Sequence, residues 1–182
     1  MSNEIINHTF KFRIGDDTEK GGCTFVGGQW RDVTTDELFK NKKIVLFSLP
    51  GAFTPTCSSD QLPGYEEKYE EFKSLGVDDV YCVSVNDAFV MNAWARDLGI
   101  KKVKMIPDGD GKFTSNMGML VDKPAQGFGK RSWRYSAFVE NGVITMFNQE
   151  EGFNHFSADA DPYTISDPDT MLNKLKLSIA RK

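Results

Sequence analysis

One stretch of the chain has the residue types and spacing for thiol chemistry: Pro50-Gly51-Ala52-Phe53-Thr54-Pro55-Thr56-Cys57. Glycine and two prolines mark a constrained loop rather than a continuing strand. If a helix begins near Thr56, Cys57 falls in its first turn, where unpaired backbone N–H groups and the helix dipole favour an anion. Such N-termini, and cationic neighbours, lower a cysteine pKa from about 8.5 to roughly 3.5–7.5. Ionisation by itself gains only about a factor of ten in thiolate at neutral pH. Fast chemistry also needs donors that orient the substrate and take up charge on a departing atom. Thr54, three residues before Cys57, offers a hydroxyl for that task.

The other chemistry-bearing residues have weaker contexts. Cys82 sits mid-strand between Tyr81 and Val83 and reads as core filler. Cys23, beside Gly21 and Gly22, reads as incidental. There is no Cys-x-x-Cys pair, which argues against a disulfide reductase. Asp108-Gly109-Asp110-Gly111 suggests a calcium loop, but the third acidic ligand and the closing glutamate are missing, so a turn is expected. His8 and His155 stand isolated, and no Cys/His grouping supports zinc.

The elements that must hold Cys57 follow from periodicity. Residues 43–49 form an apolar run of strand length, the pattern of a strand buried on both faces, and residues 80–85 form a second. Between them Tyr65, Tyr69, Phe72 and Leu75 recur at helical spacing among glutamates and a lysine. One amphipathic helix closed by Gly76 is expected. Strand, helix, strand in this order implies a parallel pair with a right-handed crossover. Cys57 then lies just past the carboxyl end of the first strand, where open α/β sheets place their ligands.

The alternation continues with an Asn86–Asp87 cap before a helix over about 88–98, a strand at 102–106 and a short helix at 113–120. Asn141–Gly142 is a two-residue hairpin signal between strands 135–140 and 143–147. Ser166 followed by Pro168 opens a last helix to about Ile179. Near the start, residues 9–13 and 29–33 form a small hairpin, and Thr34 or Thr35 caps a helical turn. The fold class is α/β, a central mixed β-sheet flanked by helices.

Composition excludes several classes. Net charge is −4 and the basic clusters are short, so a nucleic-acid partner is not expected. No apolar run approaches the roughly 18 residues of a membrane helix, and the polar N-terminus lacks a secretory signal. Three cysteines are too few for a disulfide scaffold and suit a reducing compartment, the cytoplasm. A length of 182 residues fits one domain over 1–182.

Pro50-x-x-x-Thr54-x-x-Cys57 resembles the peroxiredoxin signature. The run from Leu49 through Cys57, with Ser84-Val85-Asn86-Asp87-Ala88-Phe89-Val90 and Trp94, is similar to peroxiredoxin 5, plant type II peroxiredoxins and bacterial peroxiredoxin–glutaredoxin hybrids. The resemblance implies a thioredoxin-like fold and a thiol peroxidase acting on hydrogen peroxide and alkyl hydroperoxides, with no metal, haem or flavin. Cys57 would become a sulfenic acid, Thr54 would hydrogen-bond the peroxide and Pro50 would shield the pocket. Residues 129–136 resemble the segment that supplies the family's arginine, here Arg134; Arg96, after Trp94, is a weaker candidate for a supporting role behind the site.

Recycling is read first as one-cysteine chemistry, with a transient Cys57–Cys82 bond as the second choice, because strict disulfide geometry would require the Cys82 strand to unwind. The resemblance implies either one-cysteine chemistry with glutathione or glutaredoxin, or a resolving role for Cys82, which matches the plant type II position; thioredoxin is a further candidate reductant. A homodimer is also implied. The rival reading is a redox-sensing protein that relays Cys57 oxidation to a partner.

Overall fold

A computed structural model describes residues 3–15, 18–19, 25–155 and 160–182, and in it the two apolar runs lie side by side in parallel. Cys23 lies outside the described residues. In chain order the elements begin with strands β1 (Thr9–Ile14), β2 (Thr18–Glu19), β3 (Phe25–Val26) and β4 (Gln29–Thr34), then α1 (Thr35–Phe39) and β5 (Lys43–Ser48). A π-helical turn (Cys57–Gln61) leads into α2 (Leu62–Glu67) and α3 (Tyr69–Ser74). Next come β6 (Asp79–Ser84), α4 (Ala88–Asp97), β7 (Lys104–Pro107) and α5 (Lys112–Asn116). The chain finishes with β8 (Leu120–Lys123), β9 (Gly129–Ser132), β10 (Tyr135–Glu140), β11 (Val143–Gln149) and α6 (Pro168–Ala180).

The central sheet has the order β11-β10-β5-β6-β7. Strands β5, β6 and β7 run parallel, while β10 pairs antiparallel with both β5 and β11. Period-two alternation sorts the core into two layers. Val45, Phe47, Val80 and Cys82 face one cluster with Tyr65, Phe72, Met91, Trp94 and Met171. Ile44, Leu46, Tyr81 and Val83 face the other with Phe10, Phe39, Phe113 and Trp133. Both faces of β5 and β6 are therefore sealed, as their continuous apolar runs require.

Local chemistry sets the boundaries. Thr34 caps α1 by accepting from Glu37 N, and Asp87 caps α4 by accepting from Val90 N. Asn141 (φ 49°) and Gly142 (φ 77°) both take the left-handed conformation that a two-residue hairpin turn demands. Asp167, one residue after the expected Ser166, caps α6, with Pro168 at its first turn.

Three expectations need correction. The helix expected over 65–75 is two helices, because the chain pivots at Lys68 (φ −88°, ψ 2°). The pivot keeps Tyr65 and Phe72 stacked at 5.9 Å and fully buried, with Tyr65 also stacked on Phe47 at 3.9 Å. The helix expected at 113–120 ends at Asn116, since Gly118 (φ 71°) reverses the chain and frees Leu120–Lys123 to pair with β9. His8 is not isolated: its Nε2 lies 4.0 Å from Asp108, and Asp110 completes a three-residue group. Asp108 is nevertheless occupied as a turn residue, accepting from Phe113 N, Thr114 N and Thr114 Oγ1.

Candidate active site

The loop after β5 is fixed before any reactive atom is considered. Pro50 and Gly51 are buried, Ala52 N donates to Asn86 Oδ1 (2.9 Å), and the same oxygen accepts from Ser84 Oγ (2.6 Å). The loop is thereby pinned to the β6–α4 junction. Phe53 sits at φ 63° and is 53% exposed, a strained position for a phenylalanine on a loop whose neighbours are enclosed. Gly51 lets the Arg131 head group lie against the loop: a Cβ there would fall 2.6 Å from Arg131 Nη1 and push that guanidinium aside.

Helical structure begins at Pro55, so Cys57 falls in the first turn as expected, with Ser58 N bonding Thr54 O at 3.0 Å. From Cys57 the turn widens, and Leu62 N reaches back to Cys57 O. This widening is a π-bulge, a feature common at functional sites. It brings Gln61 onto the face of Cys57, and both are 0% exposed. Trp94 Nε1 braces the turn from α4 by donating to Ser58 Oγ at 2.9 Å.

Arg134 arrives from the opposite end of the sequence. Trp133 N bonds Met119 O, Trp133 Nε1 bonds Glu150 O, and Glu150 N bonds Arg134 O, so the residue is nailed on both flanks. Its guanidinium is 1% exposed and its Nη1 lies 3.5 Å from Cys57 Sγ. Nη1 also donates to Gln61 Oε1, and Nη2 pairs with Asp161. Tyr163 lays its ring 5.5 Å from Arg134 Cζ. Burial opposes the guanidinium charge, but Cys57 and then Asp161 outweigh it and hold the Arg134 pKa above its ordinary value.

Asp161 and Tyr163 belong to a strap, residues 160–166, whose anchor is Glu150. This buried carboxylate accepts from Thr164 N, Ile165 N, Ser166 N, Thr164 Oγ1 and Ser166 Oγ at 2.8–2.9 Å. Burial alone would raise the Glu150 pKa; the backbone donors of Ile165, Ser166 and Thr164 overcome it and set it below the ordinary range. Glu150→Gln, which puts an amide NH2 among those donors, is expected to cost about 2–4 kcal/mol in urea unfolding at neutral pH. A folded pKa below the unfolded value, about 4.3, gives stability that is complete above that pH and lost as acid protonates the native carboxylate. The gap between wild type and Glu150→Gln should therefore close below about pH 4. An equal gap at pH 3 and pH 7 would contradict this anchor.

The structure thus puts Arg134 Nη1 against Cys57 Sγ and places Pro50 and Thr54 on the loop that leads directly into the Cys57 turn. Thr54 Oγ1 donates to Gly51 O at 2.7 Å, which leaves its lone pairs to accept from a ligand. Arg96 is not part of the cluster. It is exposed on α4, lining a surface cleft of about 290 Å³ with Phe53 and Phe89. Gln61, Asp161 and Glu150 went unread in the sequence. Only Gln61, four residues after Cys57, carried a local signal, its position on the same helix face.

Cys82 is 0% exposed in β6, between Phe47 of β5 and Met105 of β7. Burial, with a smaller contribution from Cys57, pushes its thiol well above the usual range. Hydrogen-bond satisfaction is given up around the other sulfur. Gln61 Nε2, Arg134 Nε and Arg131 Nη1 are three of the four enclosed side-chain atoms without a partner among the described residues. Buried donors left open in this way fit a pocket that receives oxygen atoms from a ligand.

Comparison with known proteins decides the family. The Redoxin family profile matches residues 23–161, and a peroxiredoxin of Rhizobium etli is 52% identical over 97% of this chain and 96% of its own length. The chain belongs to the peroxiredoxins. Two solved peroxiredoxin structures superpose closely. The Plasmodium falciparum antioxidant protein, a 1-Cys peroxiredoxin, is 45% identical with a TM-score of 0.77, covering 82% of this chain and 87% of that one. Reduced Prx3 of Vibrio vulnificus in complex with hydrogen peroxide is 36% identical with a TM-score of 0.78, covering 96% and 98%. As a peroxiredoxin the chain is a thiol peroxidase, an oxidoreductase, and its mixed sheet with flanking helices is the thioredoxin-like fold of that family.

Proposed function

We propose that Cys57 is the peroxidatic sulfur and that hydrogen peroxide and small alkyl hydroperoxides are its substrates. The observation that carries the proposal is the Arg134 Nη1 contact with Sγ, beside the unpartnered donors Arg134 Nε and Gln61 Nε2. The Cys57 thiolate attacks one peroxide oxygen, an S–O bond forms and the O–O bond breaks. The departing alkoxide or hydroxide takes a proton and leaves as alcohol or water. Arg134 Nε and Gln61 Nε2 are free to donate to the peroxide oxygens, and Thr54 Oγ1 to accept from its O–H. Pro50 walls the pocket, and the whole of residues 1–182 acts as one thioredoxin-like domain.

Recycling is assigned to an external thiol, glutathione or a glutaredoxin, with thioredoxin as the alternative donor. Burial of Cys82 in a central strand and its raised pKa both support one-cysteine chemistry, as does the likeness to a 1-Cys relative. Cys82→Ser is accordingly expected to keep at least half of the wild-type glutathione-dependent turnover, followed by peroxide consumption. Loss of turnover with every reductant would make Cys82 the resolving thiol instead. The enzyme is assigned to a reducing compartment, the cytoplasm, which suits the free thiols Cys57 and Cys82. A homodimer through the loop face is supported by exposed Phe53 and Trp30. Mass spectrometry after one equivalent of peroxide tests the assignment: a dimedone adduct on Cys57 supports it, and an unmodified Cys57 overturns it.

A further inference from the structure

The sulfur pocket holds a second guanidinium for which the peroxide step has no use. Arg131 is partly exposed at the end of β9, where Nε donates to Phe128 O (3.1 Å) and Phe128 lays its ring 5.4 Å from Cζ. Those contacts aim the head group at the Cys57 loop, and only the missing side chain of Gly51 lets Nη1 come so close. Nη1 is enclosed with no partner among the described residues. No carboxylate among them forms an ion pair with Arg131, whereas Arg134 is neutralised by Asp161. Arg131 is also near enough for Cys57 to act on its charge.

The charge count changes with the state of the sulfur. With Cys57 as thiolate, two guanidiniums face two anions, the sulfur and Asp161. Once the sulfur is a neutral sulfenic acid, one positive charge is left over. Cys57 is fully enclosed, so a reductant reaches it only where the surrounding chain opens, and Gly51, six residues before the sulfur, lies directly against Arg131 Nη1 in that surround. We propose that Arg131 is an anion-recognition residue for the reductive half-reaction, selecting thiols that carry a carboxylate. The inference rests on the peroxidatic role of Cys57. The reductant thiolate attacks the sulfenic sulfur, an S–S bond forms, the S–O bond breaks, and hydroxide leaves to become water. A second thiol then attacks the mixed disulfide, releasing the Cys57 thiolate and the oxidised reductant.

The test oxidises the protein with one equivalent of hydrogen peroxide. It then follows reduction by 3-mercaptopropionate, 2-mercaptoethanol and cysteamine at equal thiolate concentration. The anionic thiol should react about tenfold faster than the neutral one, the size of a hydrogen bond to a charged group, and cysteamine slowest. Arg131→Gln should bring the three rates within about twofold, while Arg131→Lys keeps their order. Each protein's 2-mercaptoethanol rate is its own reference, so a general folding defect leaves the ratios intact. Equal rates in wild type, or an unchanged order in Arg131→Gln, overturns the proposal. So does a preference confined to oxidation by a carboxylate-bearing hydroperoxide over tert-butyl hydroperoxide. Failure to trap a Cys57 sulfenic acid at the outset would instead strike the peroxidase assignment itself.

Discussion

Cys57→Ser reduces peroxide consumption to the uncatalysed background while the folded structure persists. A serine hydroxyl is not ionised near neutral pH, so it cannot supply the electron pair that a thiolate gives to peroxide oxygen. The other described cysteine, Cys82, cannot stand in, because it is sealed in the central sheet with its proton held on by burial. Replacing sulfur by oxygen beside Arg134 and Gln61 keeps a hydrogen-bonding group in place, and the stability change should stay within about 2 kcal/mol. Peroxide consumption with glutathione and glutaredoxin, beside a thermal melt, reads both quantities. Residual turnover above about one per cent of wild type would show that another group carries the reaction.

The second large effect lies at Arg134. Arg134→Lys retains a charge but loses the planar fork that reaches Cys57 Sγ, Gln61 Oε1 and Asp161 together. Loss of one well-placed donor to developing charge costs roughly 10²–10³ in rate, and that is the expected fall in the rate of Cys57 oxidation. Arg134→Met should fall at least as far. It should also lose about 1–3 kcal/mol of stability, because the buried Gln61 Oε1 is left without its donor, while Asp161, 42% exposed, is taken up by water. Stopped-flow tryptophan fluorescence suits the measurement, since Trp94 is bonded to the residue after Cys57. A Lys variant oxidised at the wild-type rate would mean that point charge, rather than the fork, is what the sulfur needs.

The parts of this molecule that were legible from sequence are those fixed by neighbours in the chain. Asn141–Gly142 dictates its own turn, the continuous apolar runs of β5 and β6 dictate a doubly covered sheet, and Asp87 caps α4 from its own side chain. The loop carrying Cys57 was readable because proline, glycine and threonine act locally. What escaped was set by distant partners. Arg134 meets Gln61 across 73 residues and Asp161 across 27, and no periodicity announces either meeting. The break at Lys68 escaped for a related reason, because the glutamates and tyrosines around it keep a helical rhythm through the pivot. The hairpin of β8 and β9 has no tight-turn signature, since Pro124–Phe128 replaces the two-residue connection.

One feature of the architecture closes on itself. Cys57 touches Arg134, whose carbonyl is held by the backbone of Glu150; the Glu150 carboxylate grips Ser166, and Ser166 O accepts from Tyr65 Oη on α2, directly after the π turn. A ring of contacts therefore runs from the reactive atom through the last third of the chain and back to the helix on which that atom sits. A change of backbone position at residue 166 is consequently felt 101 positions upstream, and the C-terminal segment is mechanically a component of the reactive centre rather than a tail attached to it.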